Sequence, residues 1–310
     1  MTDITAFGEI LIDLTQTGVN EAGVPVFAAN PGGAPANLAV AAAKLGASAA
    51  FIGKAGEDAY GRFLKKTLDD NGVNTAGMIM DAGHPTTLAV VSVDETGERD
   101  FSFYRYHTAD VEISAEEVAD DCLRNTKFFH FGSVSLTAEP SRSAVGALAA
   151  KAKAFGAILT YDPNYRAALW NSEAEAVERM KEPLPYVDIL KVSDEELPLL
   201  TGMDDCERGT AILAEYGIRL ILVTLGADGV FYRFGEHTGH IPGIRVRVGD
   251  TNGAGDTFFG AALSRLCKTD LNTLSLSELE EILRFANKAA AITTSRHGAI
   301  PAMPTLDEVL

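Results

Sequence analysis

The sequence predicts an α/β fold with a three-layer α/β/α core, a mainly parallel central sheet and a small separate β-sheet. The first observation is a series of short, nearly continuous apolar runs between helical segments, which is typical of strands buried on both faces of a parallel sheet. These runs are Phe128–Phe131, Ile158–Tyr161, Ile189–Val192 and Leu220–Leu225. The second observation is that Thr87–Val93 and Arg99–Tyr106 alternate between apolar and polar residues, with the hairpin-turn sequence Asp94-Glu-Thr-Gly97 between them. Such a hairpin suits a sheet with one face in solvent.

The N-terminal region predicts a strand, a turn and a helix, in that order. Ile4–Leu14 is an apolar segment typical of a buried first strand. Val24–Ala28 is predicted to add a strand to the small sheet. The turn at residues 31–33 leads into Ala34–Leu45, an alanine-rich helix that ends at Gly46.

The next elements continue the alternation of strand and helix. Ala49–Gly53 predicts a second short strand, and Asp58–Asn71 predicts a helix with Gly72 beyond its end. The chain contains no evident internal repeat or low-complexity linker. We therefore expect one domain over residues 1–310, with an inserted β lid built from about residues 14–30 and 86–108.

Composition and charge exclude several classes of partner. The chain has 310 residues, of which 46% are hydrophobic and 22% charged, and its formal net charge is −17. An acidic protein is a poor match for a nucleic-acid backbone or an anionic membrane surface. Cys122, Cys206 and Cys267 form no zinc or CxxC spacing, which favours reduced thiols. With no segment apolar enough to span a membrane, these features predict a cytoplasmic enzyme.

The segment Asp250-Thr-Asn-Gly-Ala-Gly-Asp256 is the most informative for function, because it leads directly into an apolar, helix-forming run. Glycines let backbone amides approach a ligand closely, and the amino terminus of a helix favours an anion. A carboxylate at Asp256 would take a proton from a substrate hydroxyl while the amides neutralise a transferred phosphate. The alternative is a glycine-rich turn in which the aspartate only caps the helix.

A second glycine-rich turn also leads into a helix. In Gly32-Gly33-Ala-Pro-Ala-Asn37 the glycines admit a close backbone approach, and Asn37 offers both a donor and an acceptor to a polyol. Asp13, at the predicted end of the first strand, lies where open α/β sheets bind ligands. The alternatives are a tight turn with an asparagine in the first helical turn, and a solvated aspartate.

Three further segments follow predicted strands. Asp162-Pro-Asn-Tyr-Arg166 would direct Asn164 and Arg166 to polar ligand groups, although polar loops after strands are common. Ser193-Asp-Glu-Glu196 has the pattern of a helix capping box, and Glu196 is also a candidate to hold hydrated magnesium. Thr224-Leu-Gly-Ala-Asp-Gly229 either lines a nucleotide or is simply a turn.

Taken together and in this order, the segments resemble the ribokinase/PfkB family of carbohydrate kinases, and within it the fructokinases. The resemblance covers essentially the whole chain. Its most specific parts are the Gly32–Ala39 segment and the Asp250–Asp256 segment. It implies a β-sheet lid over a sugar, and transfer of the ATP γ-phosphate to a primary hydroxyl.

The resemblance also implies roles for individual residues. Asp256 matches the catalytic base, with anion-hole amides from Gly253, Ala254 and Gly255. The sugar-contacting positions are Asp13, Gly32, Gly33, Asn37, Arg105, Asn164 and Arg166. The nucleotide-binding positions are Lys191, Ser193, Thr224, Gly226, Gly229, Gly253, Gly255 and Asn287.

Metal sites are implied in the same way. Glu196 matches the acidic end of a magnesium motif and would hold Mg²⁺ through water, although Ser193 stands where asparagine is usual. Asp250, with carbonyls near Thr293, Arg296 and Gly298, matches a monovalent-cation site that would take K⁺. Asn252 and Ala302 depart from the residues that are common at their positions in the family.

The resulting hypothesis is a homodimeric ATP:D-fructose 6-phosphotransferase. A kinase of the same family acting on 2-keto-3-deoxygluconate or a riboside is the nearest alternative, since Arg105 and Arg166 would suit a sugar acid. A non-catalytic sugar- or nucleotide-binding regulator is an alternative of another class. A dehydrogenase is disfavoured because no GxGxxG follows the first strand.

Overall fold

A computed structural model describes residues 2–93 and 99–310. Its strands are β1 (Thr2–Phe7), β2 (Leu11–Val19), β3 (Pro25–Gly32), β4 (Ala49–Gly56), β5 (Asn74–Asp81), β6 (Leu88–Val93), β7 (Arg99–Tyr104), β8 (Thr126–Gly132), β9 (Ile158–Asp162), β10 (Ile189–Ser193), β11 (Leu220–Thr224), β12 (Val230–Phe234) and β13 (His237–Ile241). Its α-helices are α1 (Ala34–Lys44), α2 (Ala59–Asp70), α3 (Ser141–Ala154), α4 (Glu173–Lys181), α5 (Glu196–Thr201), α6 (Cys206–Ala214), α7 (Ala254–Leu266), α8 (Leu276–Thr294) and α9 (Leu306–Val309). The predicted turn at Asp94–Gly97 lies outside the described residues.

The larger sheet has the strand order β13-β12-β11-β10-β9-β8-β1-β4-β5 in the described residues. From β11 to β5 all neighbouring strands are parallel, and β12 and β13 add an antiparallel hairpin at one edge. Ile4 of β1, for example, pairs with Ala49 of β4 on one side and Phe128 of β8 on the other. The predicted mainly parallel sheet is confirmed.

Apolar side chains cover both faces of this sheet. Successive residues of one strand point to opposite faces, so Phe128 packs with α1 and α7 whereas Phe129 packs with α3. Leu222 and Val223 of β11 divide between the same two clusters. The result is the predicted three-layer α/β/α core, since each face buries its own set of helices.

The first strand was predicted wrongly. Ile4–Leu14 is two strands in different sheets, because the chain leaves the larger sheet after Phe7 and enters the smaller sheet at Leu11. Gly8 turns the chain with a φ of 150°. Asp13 therefore lies near the start of β2, opposite Asn30 of β3, and not at the end of a core strand.

The smaller sheet has the order β3-β2-β6-β7. The predicted antiparallel pair is present, with Leu88 of β6 opposite Tyr104 of β7. The strand predicted at Val24–Ala28 is the beginning of β3, which runs antiparallel to β2. β2 and β6 are parallel, so all four strands join into one sheet separate from the core sheet.

The predicted helices at the N-terminal end agree with the structure. The helix after the double-glycine turn is α1, and the helix predicted from Asp58 is α2, whose first turn is capped by the Asp58 side chain. α1 and α7 pack closely at Gly260, where an added Cβ would lie 2.8 Å from the Leu38 carbonyl oxygen. This contact brings the beginning of α1 next to the beginning of α7.

Three observations bear on the predictions from composition. No helix of the described residues is long and apolar enough to cross a membrane. Cys122, Cys206 and Cys267 are free thiols. Within residues 2–93 and 99–310, no cluster of three or more His, Cys, Asp or Glu side chains is arranged to hold a metal ion.

Candidate active site

The topology of the larger sheet creates a crevice beside β1. From β1 the chain adds strands in one direction through β4 and β5, and in the other direction through β8, β9 and β10. Ligands of open α/β sheets bind at the carboxyl ends of the strands where the order reverses in this way. Asp162 ends β9 and Ser193 ends β10 at this edge. The polar residues predicted after these strands therefore share one side of the sheet.

Asp256 lies in this crevice, in the first turn of α7. Gly253 precedes the helix with a left-handed φ of 72°, which a glycine adopts without strain. The Asp256 side chain is buried, and its Oδ2 accepts a 2.8 Å hydrogen bond from Asn37 Nδ2. Asn164 Nδ2 lies 3.4 Å from Oδ1. Two residues from distant parts of the sequence thus orient one buried carboxylate.

The surroundings of Asp256 make it a stronger base than an ordinary aspartate. Burial raises its pKa, while the Asn37 hydrogen bond and the charges of Lys191 and Arg166 oppose the rise. A carboxylate with a raised pKa binds a proton more readily, and an acid–base group works best with a pKa near the working pH. The arrangement fits a general base.

Lys191 brings a positive charge to the same helix end. A Cβ added to Gly255 would lie 3.2 Å from Lys191 Nζ, so the ammonium group sits directly beside the turn. Its buried partner is Asp162, at 2.9 Å. The Ala254 N–H donates to the Thr251 carbonyl at 3.3 Å, whereas Gly255 lies in the first helical turn, whose N–H groups have no acceptor inside a helix. Amides and an ammonium group therefore converge here.

The double-glycine turn lies against Asp13. An added Cβ at Gly32 would collide with the Asp13 carboxylate, and one at Gly33 would lie 2.5 Å from the Glu9 carbonyl oxygen. Gly33 also has a φ of 106°. Burial raises the pKa of Asp13 to about 6, opposed by Arg166 and assisted by the Asp256 and Asp250 charges. The turn therefore requires glycine at both positions and holds a carboxylate close to Asp256.

Arg105 is buried at the end of the smaller sheet. Its Nε donates to Asp110 Oδ2 at 2.7 Å, and its Nη1 donates to Thr137 Oγ1 at 2.5 Å. Thr87 and Thr108 hold the other oxygen of Asp110. This network was not predicted from the sequence, because its members come from separate loops and form no local pattern.

Asn164 and Arg166 follow β9, as predicted. Asn164 has a φ of 49°, a left-handed conformation that asparagine tolerates better than most residues. Its N–H donates to Asp162 Oδ1 at 3.2 Å, which turns its side chain towards Asp256. Arg166 is exposed, and its Nη1 donates to the neighbouring Tyr165 carbonyl oxygen at 2.9 Å. Its charge nevertheless acts on both Asp13 and Asp256.

Ser193 and Glu196 form the reciprocal contacts of a capping box. Glu196 Oε2 accepts from the Ser193 N–H at 2.8 Å, and the Glu196 N–H donates to Ser193 Oγ at 3.1 Å. Glu196 Oε1 accepts from the Tyr165 N–H at 2.7 Å. The carboxylate therefore joins the loops after β9 and β10, and its direct hydrogen-bonding capacity is largely used by the backbone.

A cavity of about 700 Å³ adjoins the amino terminus of α7. The predicted nucleotide positions that line it are Thr224, Gly226, Gly229, Gly255 and Asn287. Asn287 also donates to the Ile241 and Pro242 carbonyl oxygens, at 3.2 and 3.1 Å. Lys191, Ser193 and Gly253 do not belong to this lining in the described part of the chain. The alternating segment at residues 243–249 adds Ile244, Val246 and Val248, which the sequence analysis missed.

Asp250 joins the α7 turn to the loop after α8. Its Oδ1 accepts from the Asn252 N–H at 3.0 Å, and its Oδ2 accepts from the Gly298 N–H at 3.3 Å. A Cβ at Gly249 would lie 2.9 Å from the Ser295 carbonyl oxygen and 3.0 Å from that of Arg296. Oxygen atoms are therefore concentrated where the resemblance implied a monovalent cation.

A parallel α/β core with a buried aspartate at a helix amino terminus, beside a second glycine-rich turn, defines a class of carbohydrate kinase. The family model of the pfkB family carbohydrate kinases matches residues 1–306, and the chain belongs to this family.

Within the family, the relatives and solved structures that the chain matches include fructokinases. Fructokinase-1 of Oryza sativa subsp. japonica is 44% identical over 310 residues, covering 99% of this chain and 96% of that protein. The fructokinase of Xylella fastidiosa with bound ATP is 33% identical with a TM-score of 0.92, covering 100% of this chain and 97% of the other. A double-mutant fructokinase of Vibrio cholerae O395, in a form with fructose, ADP and potassium ion bound, is 32% identical with a TM-score of 0.90, at 100% and 97% coverage.

Proposed function

We propose that the chain transfers the γ-phosphoryl group of ATP to the 6-hydroxyl of D-fructose. The observation that carries this proposal is the buried Asp256 carboxylate, held by Asn37 at 2.8 Å at the amino terminus of α7. A proton acceptor and a set of amide donors then lie within one helical turn. The similarity to fructokinases over the full chain supports fructose as the acceptor sugar.

In the proposed reaction, Asp256 takes the proton of the sugar hydroxyl as that oxygen attacks the γ-phosphorus. The bond between the β–γ bridging oxygen and the phosphorus breaks, and ADP leaves. The amides at Gly253 and Gly255 and the Lys191 ammonium group stabilise the negative charge of the phosphoryl oxygens. The Ala254 N–H joins them only by giving up its 3.3 Å bond to the Thr251 carbonyl oxygen. The 2.9 Å ion pair with Asp162 holds the Lys191 ammonium group in place beside the turn.

The sugar site combines carboxylate and amide groups. Asp13 accepts hydroxyl hydrogen bonds, and Asn37 both donates and accepts, since its Oδ1 is buried without a partner in the described residues. Gly32 and Gly33 allow the sugar to approach the backbone closely. Asn164 and Arg166 approach from β9, and Arg105 approaches through Nη2, which is also buried and unpartnered there.

The nucleotide occupies the 700 Å³ cavity in this proposal, with Thr224, Gly226, Gly229 and Asn287 along its walls. Ser193 does not line this cavity and stays a predicted nucleotide-binding position. The apolar side chains of residues 243–249 cover one side of the base. The negative phosphates then extend towards Gly255 and the amino terminus of α7, where the helix dipole favours them.

The residues fit magnesium only through water. Both oxygens of Glu196 already accept backbone N–H groups, but each carboxylate oxygen can accept a second donor. Mg²⁺ commonly keeps several waters and binds mainly to the substrate phosphates, so Glu196 would hold the hydrated ion from outside. Magnesium would neutralise charge on the β- and γ-phosphates. For K⁺, Asp250 and the backbone carbonyl groups of residues 293–298 would supply hard oxygen ligands.

The smaller sheet acts as a lid over the sugar in this proposal, and its closure excludes water that would otherwise hydrolyse ATP. Its outer strands leave large apolar side chains exposed, including Val26, Phe27 and Tyr104. Strand edges with exposed apolar groups favour pairing with another chain, so we propose a homodimer formed through this sheet. A cytoplasmic location remains a prediction.

The test is an ATP-consumption screen with fructose, glucose, ribose, 2-keto-3-deoxygluconate and nucleosides. Fructose should give the highest kcat/KM. A tenfold or greater preference for 2-keto-3-deoxygluconate would overturn the choice of sugar and keep the kinase class. Binding of sugar and ATP without turnover of any acceptor would favour the non-catalytic regulator.

A further inference from the structure

Glu9 supports the double-glycine turn (Gly32–Gly33) from two sides. It lies in the connection between β1 and β2 and is only 3% exposed. Its Oε1 accepts a hydrogen bond from the Ala34 N–H at 3.0 Å. Its carbonyl oxygen lies against Gly33, where an added Cβ would be 2.5 Å away. We therefore expect a change at Glu9 to displace this turn, which the proposed function places at the sugar.

The double-glycine turn also determines the position of Asn37, which contacts the proposed base Asp256. The Asn37 N–H donates to the Gly33 carbonyl oxygen at 2.8 Å. The Asn37 side chain donates to Asp256 at 2.8 Å. Glu9 touches neither Asn37 nor Asp256 in these contacts, so its effect on the reaction passes through the turn.

The connection that carries Glu9 and the arginine of the smaller sheet both lie against residues 135–137: a Cβ added to Gly8 would be 3.2 Å from Ser135 Oγ, and Arg105 Nη1 donates to Thr137 Oγ1 at 2.5 Å. Burial raises the pKa of Glu9 to about 7, and the Arg105 charge opposes this rise whereas the Asp110 charge adds to it. The Arg105 guanidinium is therefore close enough to act on the carboxylate. Arg105 is anchored by Asp110 and Thr137 through Nε and Nη1, which leaves Nη2 directed elsewhere.

Within the described part of the chain, Glu9 and Arg105 each keep one buried polar atom without a partner, an acceptor on the glutamate and a donor on the arginine. Glu9 Oε2 and Arg105 Nη2 are both buried, and neither has a hydrogen-bond partner among the described residues. Buried polar atoms are nearly always paired in stable states, and a carboxylate with a guanidinium is among the strongest pairs. Nη2 carries two N–H groups, so a bond to Glu9 leaves one for the sugar.

We propose that Glu9 is a positioning residue whose Oε2 accepts a hydrogen bond from Arg105 Nη2 when fructose binds. This bond links the double-glycine turn to the closing of the smaller sheet. Binding of the sugar to the turn and closure of the sheet then stabilise each other. The inference rests on the proposed function, because it assigns the sugar as the ligand that brings the two groups together.

A double-mutant cycle tests the pair, using Glu9→Gln, Arg105→Lys and the double variant. Lysine retains a charge for Asp110 but lacks the forked Nη2 group. Each single change should weaken fructose binding by roughly tenfold while kcat changes by less than about threefold, as expected for lost positioning. The double variant should bind fructose no more than about twofold more weakly than the single variant with the lower fructose affinity. The reason is that both changes remove one shared interaction.

Glu112→Gln is the matched control. The Glu112 carboxylate is hydrogen-bonded to His107 Nδ1 at 2.6 Å. Replacing it with glutamine makes the same chemical change as Glu9→Gln, at a position away from the double-glycine turn. Combined with Arg105→Lys, it should give multiplied effects. If Glu9→Gln and Arg105→Lys also multiply, to roughly a hundredfold loss, they are independent and the coupling is refuted.

Hydrogen exchange of the wild type keeps the inference testable if Glu9→Gln does not fold. Fructose should slow exchange at the Ala34 amide and in residues 99–104 together. Slowing at only one of the two places refutes the coupling. The wild-type screen tests the proposed function separately, and if another sugar is preferred there, the cycle is performed with that sugar.

Discussion

Replacing Asp256 with asparagine removes the proposed base while leaving its surroundings in place. The Oδ1 of an asparagine can still accept the 2.8 Å hydrogen bond from Asn37. Among the described residues, the new amide group would meet another donor at Asn164 Nδ2, which lies at a long 3.4 Å. We therefore expect the variant to lose the proton acceptor and little else. General bases contribute about 10² to 10⁴ in rate, so kcat should fall by at least ~10², or about 2.7 kcal/mol in the activation free energy.

Stability distinguishes this loss from misfolding. Because burial raises the pKa of Asp256 above that of an aspartate in the unfolded chain, the native state binds its proton more tightly than the unfolded state does. The free energy of unfolding then falls as pH rises from the unfolded pKa through the raised native pKa. At neutral pH the ionised carboxylate is destabilising, so Asp256→Asn should melt at the same or a higher temperature.

The assay is steady-state turnover of ATP and fructose over a range of pH, with fructose affinity measured by calorimetry. In the wild type, kcat should decline as pH falls through the raised pKa of Asp256, because the base becomes protonated. The variant should lack that decline and bind fructose nearly as well. Turnover close to wild type in Asp256→Asn would remove this residue from the mechanism.

Three other substitutions have distinct expected outcomes. Asp13→Ala should lower kcat/KM for fructose by about 10² or more, since the sugar hydroxyls lose a buried acceptor; an unchanged value would remove Asp13 from the sugar site. Glu196→Gln should lower the free energy of unfolding by about 1–3 kcal/mol, because one of two backbone N–H groups loses its acceptor. It should also raise the magnesium concentration that gives the half-maximal rate. If the magnesium dependence is unchanged, Glu196 acts only as a structural helix cap. Gly33→Ala should lower the melting temperature of the protein more than the control Gly72→Ala does. Both glycines have a positive φ, but of the two only Gly33 has backbone atoms within 3 Å of the added Cβ. Equal melting temperatures of the two variants would contradict this clash.

The larger sheet and its helices were predictable because their signals are local. A buried strand such as Leu220–Thr224 needs only an apolar run, and α2 is marked by its capping residue Asp58. The same reasoning failed at Gly8–Ile10, where an apolar run continues through the point at which the chain changes sheets. Apolar periodicity reports burial, and burial does not say in which sheet a strand lies.

The residues of the candidate site were predictable only where they belong to a local sequence motif. Ser193 and Glu196 form the capping contacts that their spacing predicted. The contact between Asn37 and Asp256 joins residues 219 positions apart, and their proximity comes from the packing of α1 on α7. Glu9 and Asp110 belong to no motif that we identified, since their roles depend on which loops meet at the ends of β1 and β7.

The close contact between α1 and α7 at Gly260 has a consequence for how this enzyme family can diversify. Asn37 and Asp256 lie in the first turns of two closely packed helices, so we expect the proposed base and its orienting amide to form one rigid unit. Asp13 and Arg105 belong instead to the smaller sheet and its boundary. We therefore expect substitutions in that sheet to change the preferred sugar while the geometry around Asp256 stays the same. A new sugar would be accommodated by changes in the smaller sheet, while the contact between α1 and α7 is kept.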